Sequence, residues 1–278
     1  MKPTNKHNLP ERVTRMLPVL RKVNPERMSV THLIDSPLIR TTLIERFDEV
    51  QYDVSDMLST IIGISVHEFC EKMSPDDEDT EHKLEFTKDS QGKEFGLTLV
   101  GKADNFFGTT IIDTKTKAVG FKKFGIEEIE QQLNIYAWMR RMRFEVVEEL
   151  IIDVWYRDWK LRDTVKKDYP PILFEQIKVP LWTFEEQEKF IWERLDFHKN
   201  NPYACPNDRT HRWKKEDTFA VKTKGKKRAD RVLNSKKEAE EWMKQNGRGD
   251  FIETRVGGCL RCENHCNVRS ICKAKEIK

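Results

Sequence analysis

The stretch GKADNFFGTTIIDTKTK, residues 101–117, decides the fold of the central part of this chain. Its two aspartates, Asp104 and Asp113, are spaced symmetrically about Gly108 and Thr109, where a turn separates two strand-like runs. A hairpin turning there places the two carboxylates nearly opposite each other on one face, about 5 Å apart at Cβ. Carboxylates this close repel each other unless a cation binds between them. The pattern therefore predicts a site for a hard, oxygen-preferring ion, Mg²⁺ or Mn²⁺.

Lys115 follows Asp113 by two residues, so strand alternation returns its side chain to the face that carries the aspartate. Ile112 and Thr114 point the other way. An ammonium group at this place can orient an attacking water or stabilise charge on a phosphate. The alternative interpretation is an ordinary polar hairpin face with a cross-strand salt bridge.

Hydrophobic periodicity on both sides of this stretch predicts a mixed α/β unit that extends over residues 1–200. Two or three helices come first, then a three-stranded antiparallel meander, then a helix and a strand. A last strand and an amphipathic helix follow them. The predicted ranges are 29–73 for the early helices, 84–89, 96–107 and 109–117 for the meander, 127–143 for the next helix, 149–159 and 172–180 for the later strands, and 183–199 for the final helix.

Three further residues complete an ordered set of motifs. His67 lies in GISVHEFCEK, at the expected end of the helix before the meander, and Gln132 with Tyr136 forms Q-x-x-x-Y on the helix after it. With Asp104 and the D-x-K of residues 113–115, this order resembles the RecB-type nucleases of the PD-(D/E)XK superfamily over residues 29–155. The resemblance implies a restriction-endonuclease-like core.

The resemblance also implies a role for each of these residues. The expected metal ligands are His67, Asp104 and Asp113, with the Thr114 carbonyl as a further ligand; the expected catalytic residues are Asp104, Asp113 and Lys115, with Gln132 and Tyr136 positioning the substrate or the lysine. Each motif also has a purely structural interpretation. His67 alone suits a hydrogen-bonded helix-end histidine, and Gln132 with Tyr136 suits a half-buried helix face.

Four of the six cysteines crowd into GGCLRCENHCNVRSIC near the C-terminus: Cys259, Cys262, Cys266 and Cys272, with C-x2-C-x3-C-x5-C spacing. Thiolates this close in sequence can converge on one soft metal centre, either tetrahedral Zn²⁺ or an iron–sulphur cluster. The cysteines are similar to those of the AddB and CRISPR-adaptation exonucleases, which implies a [4Fe–4S] cluster. Those families draw one ligand from far upstream, so the fourth ligand is either Cys259 or Cys205.

Residues 201–278 form the basic part of the chain, with 20 Lys and Arg against 11 Asp and Glu, a net charge of +9; because the whole chain carries +3, the remainder carries −6. A strand–strand–helix module is expected here before the cysteine-rich tail, with a capping box at Ser235 and Glu238. Its expected nucleic-acid contacts are Arg212, Trp213, Lys224, Lys226, Lys227 and Arg228. The alternative is a hydrated hairpin whose aromatic residues pack internally.

The chain has 278 residues, 37% of them hydrophobic and 35% charged, which suffices for one core with an appendage. No apolar run could span a membrane and the N-terminus lacks a cleavage signature, so a cytoplasmic location is expected. The resemblance implies hydrolysis of DNA, as an exonuclease in recombination or repair, with any helicase or recombination protein as a separate partner. An RNA-directed nuclease and a non-catalytic nucleic-acid-binding protein remain alternatives, and the oligomeric state stays open.

Overall fold

The computed structural model describes residues 2–17, 21–75, 79–80, 82–206 and 208–272. The fold is mixed α/β and divides into two compact units. The first contains residues up to Cys205 and those from Asn267 onward, and the second contains Pro206–Cys266. The sequence had suggested a division at residue 200, with everything beyond it in one tail.

Helices and strands alternate along the first unit. Its helices are α1 (Glu11–Thr14), α2 (Val30–Ile34), α3 (Pro37–Glu45), α4 (Leu58–Met73), α5 (Glu127–Arg141) and α6 (Phe184–Asn200). Its strands are β1 (Lys2–Thr4), β2 (Arg27–Ser29), β3 (Gln51–Asp53), β4 (Asp79–Thr80), β5 (Lys83–Lys88), β6 (Glu94–Lys102), β7 (Asn105–Phe107), β8 (Thr110–Lys117), β9 (Glu149–Tyr156) and β10 (Phe174–Val179).

A five-stranded sheet in the order β10-β9-β8-β7-β4 forms the centre of this unit. Strands β8 and β9 are parallel, and α5 forms the crossover between them, as parallel pairing requires. The other pairs of this sheet are antiparallel. A second sheet has the order β2-β6-β5, and β1 pairs with β3.

The prediction of one continuous meander is wrong in one respect. The run expected as a single strand over 96–107 divides at Ala103 and Asp104 into β6 and β7, which belong to different sheets. The Asp104 side chain accepts a hydrogen bond from the Thr114 backbone amide, so the chain bends where a straight ladder would continue. The consequence is that Asp104 lies at a junction between two sheets.

Helix α5 supplies much of the core because most of its length is buried. Trp138 is fully buried and packs against Phe86 and Phe95, with ring centroids 5.3 and 5.9 Å away. Its indole nitrogen donates to the Glu188 carboxylate, which satisfies the one polar atom of this large side chain. Trp138 thereby links α5 to β5, β6 and α6.

Helix α4 differs from α5 because none of its residues is fully buried. Ile62, Phe69 and Met73 are 49%, 65% and 67% exposed, although the apolar spacing of this segment is that of a core helix. The helix ends at Met73, the limit predicted from the sequence, and His67 lies in its C-terminal half.

The second unit contains α7 (Arg209–Arg212), β11 (Thr218–Lys222), β12 (Arg231–Leu233), α8 (Lys236–Asn246) and β13 (Phe251–Arg255). The predicted strand–strand–helix order is confirmed, and so is the capping box, in which Ser235 accepts from the Glu238 amide. The sequence missed β13, which pairs with β11 to complete the sheet β12-β11-β13. Its five residues alternate too weakly in hydrophobicity to be recognised.

The segment after Cys266 belongs to the first unit. Val268 is fully buried, Ser270 Oγ accepts from the Gln51 backbone amide at 2.9 Å, and Arg269 forms an ion pair with Asp56. The end of the described chain is thus attached to the turn that precedes α4.

None of the helices in these described ranges combines the length and apolar character needed to cross a bilayer.

Candidate functional site

The β7–β8 hairpin turns where the sequence predicted. Its register pairs Phe107 with Thr110 and Asn105 with Ile112, so the next pair outward is Asp104 and Asp113. The two acidic residues therefore lie opposite each other, as expected. Their side chains differ in environment, because Asp113 is 1% exposed whereas Asp104 is 17% exposed.

Asp104 is held by contacts from two directions. Its Oδ2 accepts a hydrogen bond from the Thr114 backbone amide at 2.8 Å and lies 3.3 Å from His67 Nδ1. Burial raises the pKa of Asp104, and the charge of Asp113 raises it further, whereas Lys115 and His67 act in the opposite direction. Burial and the charge of Asp113 thus penalise the charged form of Asp104 relative to an exposed aspartate, and a nearby cation would reduce that penalty.

Lys115 contacts Asp113 directly, as strand alternation predicted. Its Nζ lies 2.7 Å from Oδ1 and 2.6 Å from Oδ2 of Asp113, and it donates a hydrogen bond to Oδ1. Oδ2 is buried, and its partner is the Lys115 ammonium, in an ion pair that lacks good hydrogen-bond geometry. The buried carboxylate is thus neutralised by Lys115, and a metal ion would have to take the place of that ammonium.

The residues suit a hard divalent cation in their chemistry: two facing carboxylates, one of them buried and paired with a lysine, and an imidazole beside the other. In the described part of the chain, however, no three His, Cys, Asp or Glu side chains already converge as a metal site. The Lys115 ammonium accounts for this at Asp113, because it occupies the space next to the carboxylate and neutralises it.

Helix α5 brings the Q-x-x-x-Y motif to the same place. Gln132 Nε2 donates to Tyr136 Oη at 2.9 Å, and the Lys102 backbone also hydrogen-bonds this hydroxyl. Burial raises the pKa of Tyr136 strongly, and the nearby charges of Asp113 and Asp104 add to the rise. Tyr136 is therefore a neutral hydroxyl close to both carboxylates, where it can donate or accept a hydrogen bond.

Gly101 permits the close approach of α5 to β6. A Cβ built at this position would lie 2.3 Å from Met139 Sδ and 3.2 Å from Tyr136 Cδ1. Because Met139 is fully buried, it has little room to retreat.

Gly101→Ala is expected to lower the free energy of unfolding by about 1–3 kcal/mol through overpacking against α5. Urea unfolding followed by circular dichroism measures the change. Gly63→Ala on α4 is the matched control, since a Cβ there meets nothing within 4 Å and should leave stability unchanged or raise it. Equal stability of Gly101→Ala and wild type would show that Met139 and Tyr136 can move freely.

A cleft of about 620 Å³ opens beside the carboxylate pair. One side consists of α4 residues, among them His67, Glu68 and Glu71, and the other of strand residues with three lysines. The strand side is formed by Lys102, Lys115, Thr116 and Lys117. The cleft is thus cationic on its strand side, directly beside the two aspartates.

Sequence reasoning missed Lys102 and Lys117. A signal was present for each, because Lys102 precedes Asp104 by two residues and Lys117 follows Lys115 by two. Alternation places Lys117 on the face of β8 that carries Asp113 and Lys115. The D-x-K motif ends at Lys115 and includes neither of these two lysines.

The cysteines are distributed over both units. Cys259, Cys262 and Cys266 lie in the second unit, whereas Cys205 and Cys272 lie in the first, and all five are partly buried. Cys262 lies within a short π-helical turn, Arg261–His265, with Cys259 before it and Cys266 directly after it. The Cys266 amide donates to the Arg261 carbonyl at 2.8 Å. A role for these cysteines in binding a metal stays a prediction.

The six basic and aromatic residues proposed for nucleic-acid contact fall into two groups. Arg212 is 6% exposed, and the Trp213 ring packs 5.3 Å from that of His265, with the Arg261 guanidinium 5.8 Å away. The other four, Lys224, Lys226, Lys227 and Arg228, are exposed in the loop between β11 and β12. Arg212 is thus buried and Trp213 partly buried, whereas the second group is exposed. The role of both groups stays a prediction.

Comparison with known proteins yields distant structural similarity. No protein-family model matches the chain, and no curated protein matches it. Similar solved structures include the protein SSO0001, at 18% identity and a TM-score of 0.46, with 66% of this chain and 80% of that chain covered. A protein from Eubacterium rectale named as an exonuclease has 17% identity and a TM-score of 0.31, with 54% and 55% covered. A phage-related exonuclease from Haemophilus somnus 129PT has 14% identity and a TM-score of 0.30, with 52% and 68% covered. At these levels no functional assignment rests on the similarities.

Proposed function

We propose that this chain is a metal-dependent nuclease with a restriction-endonuclease-like core of the RecB type, acting on DNA. The observation that carries the proposal is the facing pair Asp104 and Asp113. Lys115 pairs with Asp113 from the same strand, and a cationic cleft lies beside them. Hydrolysis of a phosphodiester needs carboxylates that hold a cation, a water that can attack, and positive charge near the phosphate. These residues supply the first and third of those requirements.

Asp104 and Asp113 are the residues that would hold a Mg²⁺ or Mn²⁺ ion, with His67 and the Thr114 carbonyl as further ligands. When bound, the ion supplies Lewis-acid polarisation of the phosphate and lowers the pKa of a coordinated water. The chain's own residues do the rest. The Thr114 amide fixes the orientation of Asp104 through its hydrogen bond, and His67 Nδ1 supports the same oxygen.

Lys115 and Tyr136 are the residues that would contact the substrate in the proposed reaction. When the substrate enters, the Lys115 ammonium can turn from Asp113 toward a phosphate oxygen or toward the attacking water. Tyr136, neutral and hydrogen-bonded to Gln132, can then hold the lysine or the phosphate in place.

Cleavage assays test the proposed function. Purified protein is incubated with DNA labelled at the 5′ or the 3′ end, single-stranded or duplex, and with matched RNA and covalently closed circular DNA, in Mg²⁺, Mn²⁺ or EDTA. Metal-dependent release of short products from linear DNA, with circles left intact, is the result expected for an exonuclease. Cleavage of RNA alone would favour the RNA-directed alternative, and binding without any cleavage would favour the non-catalytic one.

The C-terminal cysteines are proposed to bind a metal as a structural element, either a [4Fe–4S] cluster or Zn²⁺. Four thiolates with spacers of two, three and five residues are the support for this proposal. The segment that follows Cys266 belongs to the first unit, where Val268 is buried and Ser270 accepts a hydrogen bond. A metal bound by the neighbouring cysteines would help to hold this end of the chain in place.

Protein purified without oxygen is expected to be brown, with broad absorbance near 400 nm from thiolate-to-iron charge transfer, and to bleach in air. Cys266→Ala should remove the metal and lower the melting temperature, whereas Cys70→Ala, on α4 and outside the cysteine-rich segment, should keep the metal. A colourless protein with about one zinc per chain would select the zinc alternative. Full metal content in Cys266→Ala would contradict the cysteine assignment.

A further inference from the structure

Lys117 is a cation in the cleft that the proposed mechanism does not use. It ends β8 on the face that carries Asp113 and Lys115, and it lines the cleft. Within the described ranges its ammonium makes no hydrogen bond or ion pair. Burial lowers the pKa of Lys117 and the Lys115 ammonium lowers it further, whereas the charges of Glu128 and Asp113 raise it, so this cation is partly desolvated among charges of both signs. A further anion placed between the two lysines would stabilise it.

Lys102, from the end of β6, supplies a third cation to the same cleft. The strand residues that line the cleft are thus three lysines and one threonine.

We propose that Lys117, with Lys102, binds a second backbone phosphate of the substrate, adjacent to the phosphate that is cleaved. This inference rests on the proposed function and names a positioning subsite for it. Residues two apart on a strand are separated by about 6.6 Å, which is similar to the distance between neighbouring phosphates of one strand. Lys115 and Lys117 can therefore each face one of two consecutive phosphates.

The charges around the cleft also determine which side a phosphate occupies. Glu68 and Glu71 line it from α4, whereas the lysines line it from the strands. A phosphate is repelled by the helix side and attracted to the strand side, so the nucleic-acid backbone is expected to follow β8. Because phosphates carry no sequence information, the subsite should position any sequence equally well.

Binding of a fluorescent single-stranded DNA, measured by anisotropy in EDTA over a range of salt concentrations, tests the subsite independently of cleavage. Lys117→Gln should weaken binding about tenfold and reduce the slope of log affinity against log salt by about 0.7, the value for one lost phosphate contact. Lys117→Arg should largely restore both quantities. Lys178→Gln is the control, since Lys178 is an exposed lysine paired with Glu149, and it should bind as wild type does.

Where wild type cleaves DNA, Lys117→Gln should raise KM by a similar factor with little change in kcat, as expected for a residue that binds ground state and transition state alike. Wild-type affinity and salt slope in Lys117→Gln would overturn the subsite, even if cleavage is observed. A Lys117→Arg variant that binds DNA as weakly as Lys117→Gln would also overturn the subsite. A binding defect in Lys117→Gln, in a protein that cleaves nothing, would support the subsite and refute the proposed nuclease activity.

Discussion

Asp113→Asn is expected to reduce DNA cleavage by about three orders of magnitude while leaving DNA binding intact. Asp113 is almost fully buried, faces Asp104, and forms an ion pair with Lys115. Replacing one oxygen by an amide removes both a ligand and a negative charge, and the loss of several kcal/mol of transition-state stabilisation corresponds to this factor. End-labelled DNA gives the rate, and anisotropy gives the affinity.

Asp158→Asn is the control for this substitution. Asp158 is exposed, and its Oδ1 accepts from the Val119 amide, a bond that the asparagine oxygen can also accept. Its activity should equal that of wild type. Cleavage by Asp113→Asn at the wild-type rate in both Mg²⁺ and Mn²⁺ would show that the carboxylate pair is not the site of the reaction.

Lys115→Met is expected to lower the free energy of unfolding by about 3 kcal/mol in EDTA, because it leaves the buried Asp113 carboxylate without its cation. Mg²⁺ should recover part of that stability, since a bound ion replaces the missing positive charge. Wild type should respond less to Mg²⁺, because there the ammonium already neutralises Asp113. Urea unfolding in EDTA and in Mg²⁺ measures all four values.

Lys178→Met provides the comparison for the stability measurement. Lys178 pairs with Glu149, but the two side chains are 78% and 46% exposed, so the pair contributes little. A change within about 0.5 kcal/mol is expected. If Lys115→Met were as stable as this control in EDTA, the Lys115–Asp113 contact would contribute nothing to stability. Asp113 would then show no need for a neighbouring cation.

The hairpin of the candidate site could be predicted because its information is local. The symmetric spacing of Asp104 and Asp113 about a turn fixes which residues face each other, and strand alternation adds Lys115. The capping box of α8 was equally accessible, since Ser235 and Glu238 are three residues apart. In both cases the deciding interaction joins residues close in sequence.

The features that the sequence did not predict depend on distant parts of the chain. The break between β6 and β7 results from a bond between Asp104 and Thr114 and from the pairing of each strand with a different sheet. Exposure of the apolar residues of α4 could not be read from its periodicity, which is the same for a buried helix. Val268 is buried in the first unit, although the residues before it form a separate unit. The neighbouring sequence likewise gives no indication of this.

Binding of Mn²⁺, followed by the loss of the electron paramagnetic resonance signal of the free ion, tests the central claim most directly. The claim is that Asp104 and Asp113 together hold a divalent cation. Folded wild-type protein should bind Mn²⁺ with a component that disappears in both Asp104→Asn and Asp113→Asn, while Asp158→Asn keeps it. Absence of Mn²⁺ binding by folded wild-type protein, or unchanged binding in the two site variants, would contradict the claim.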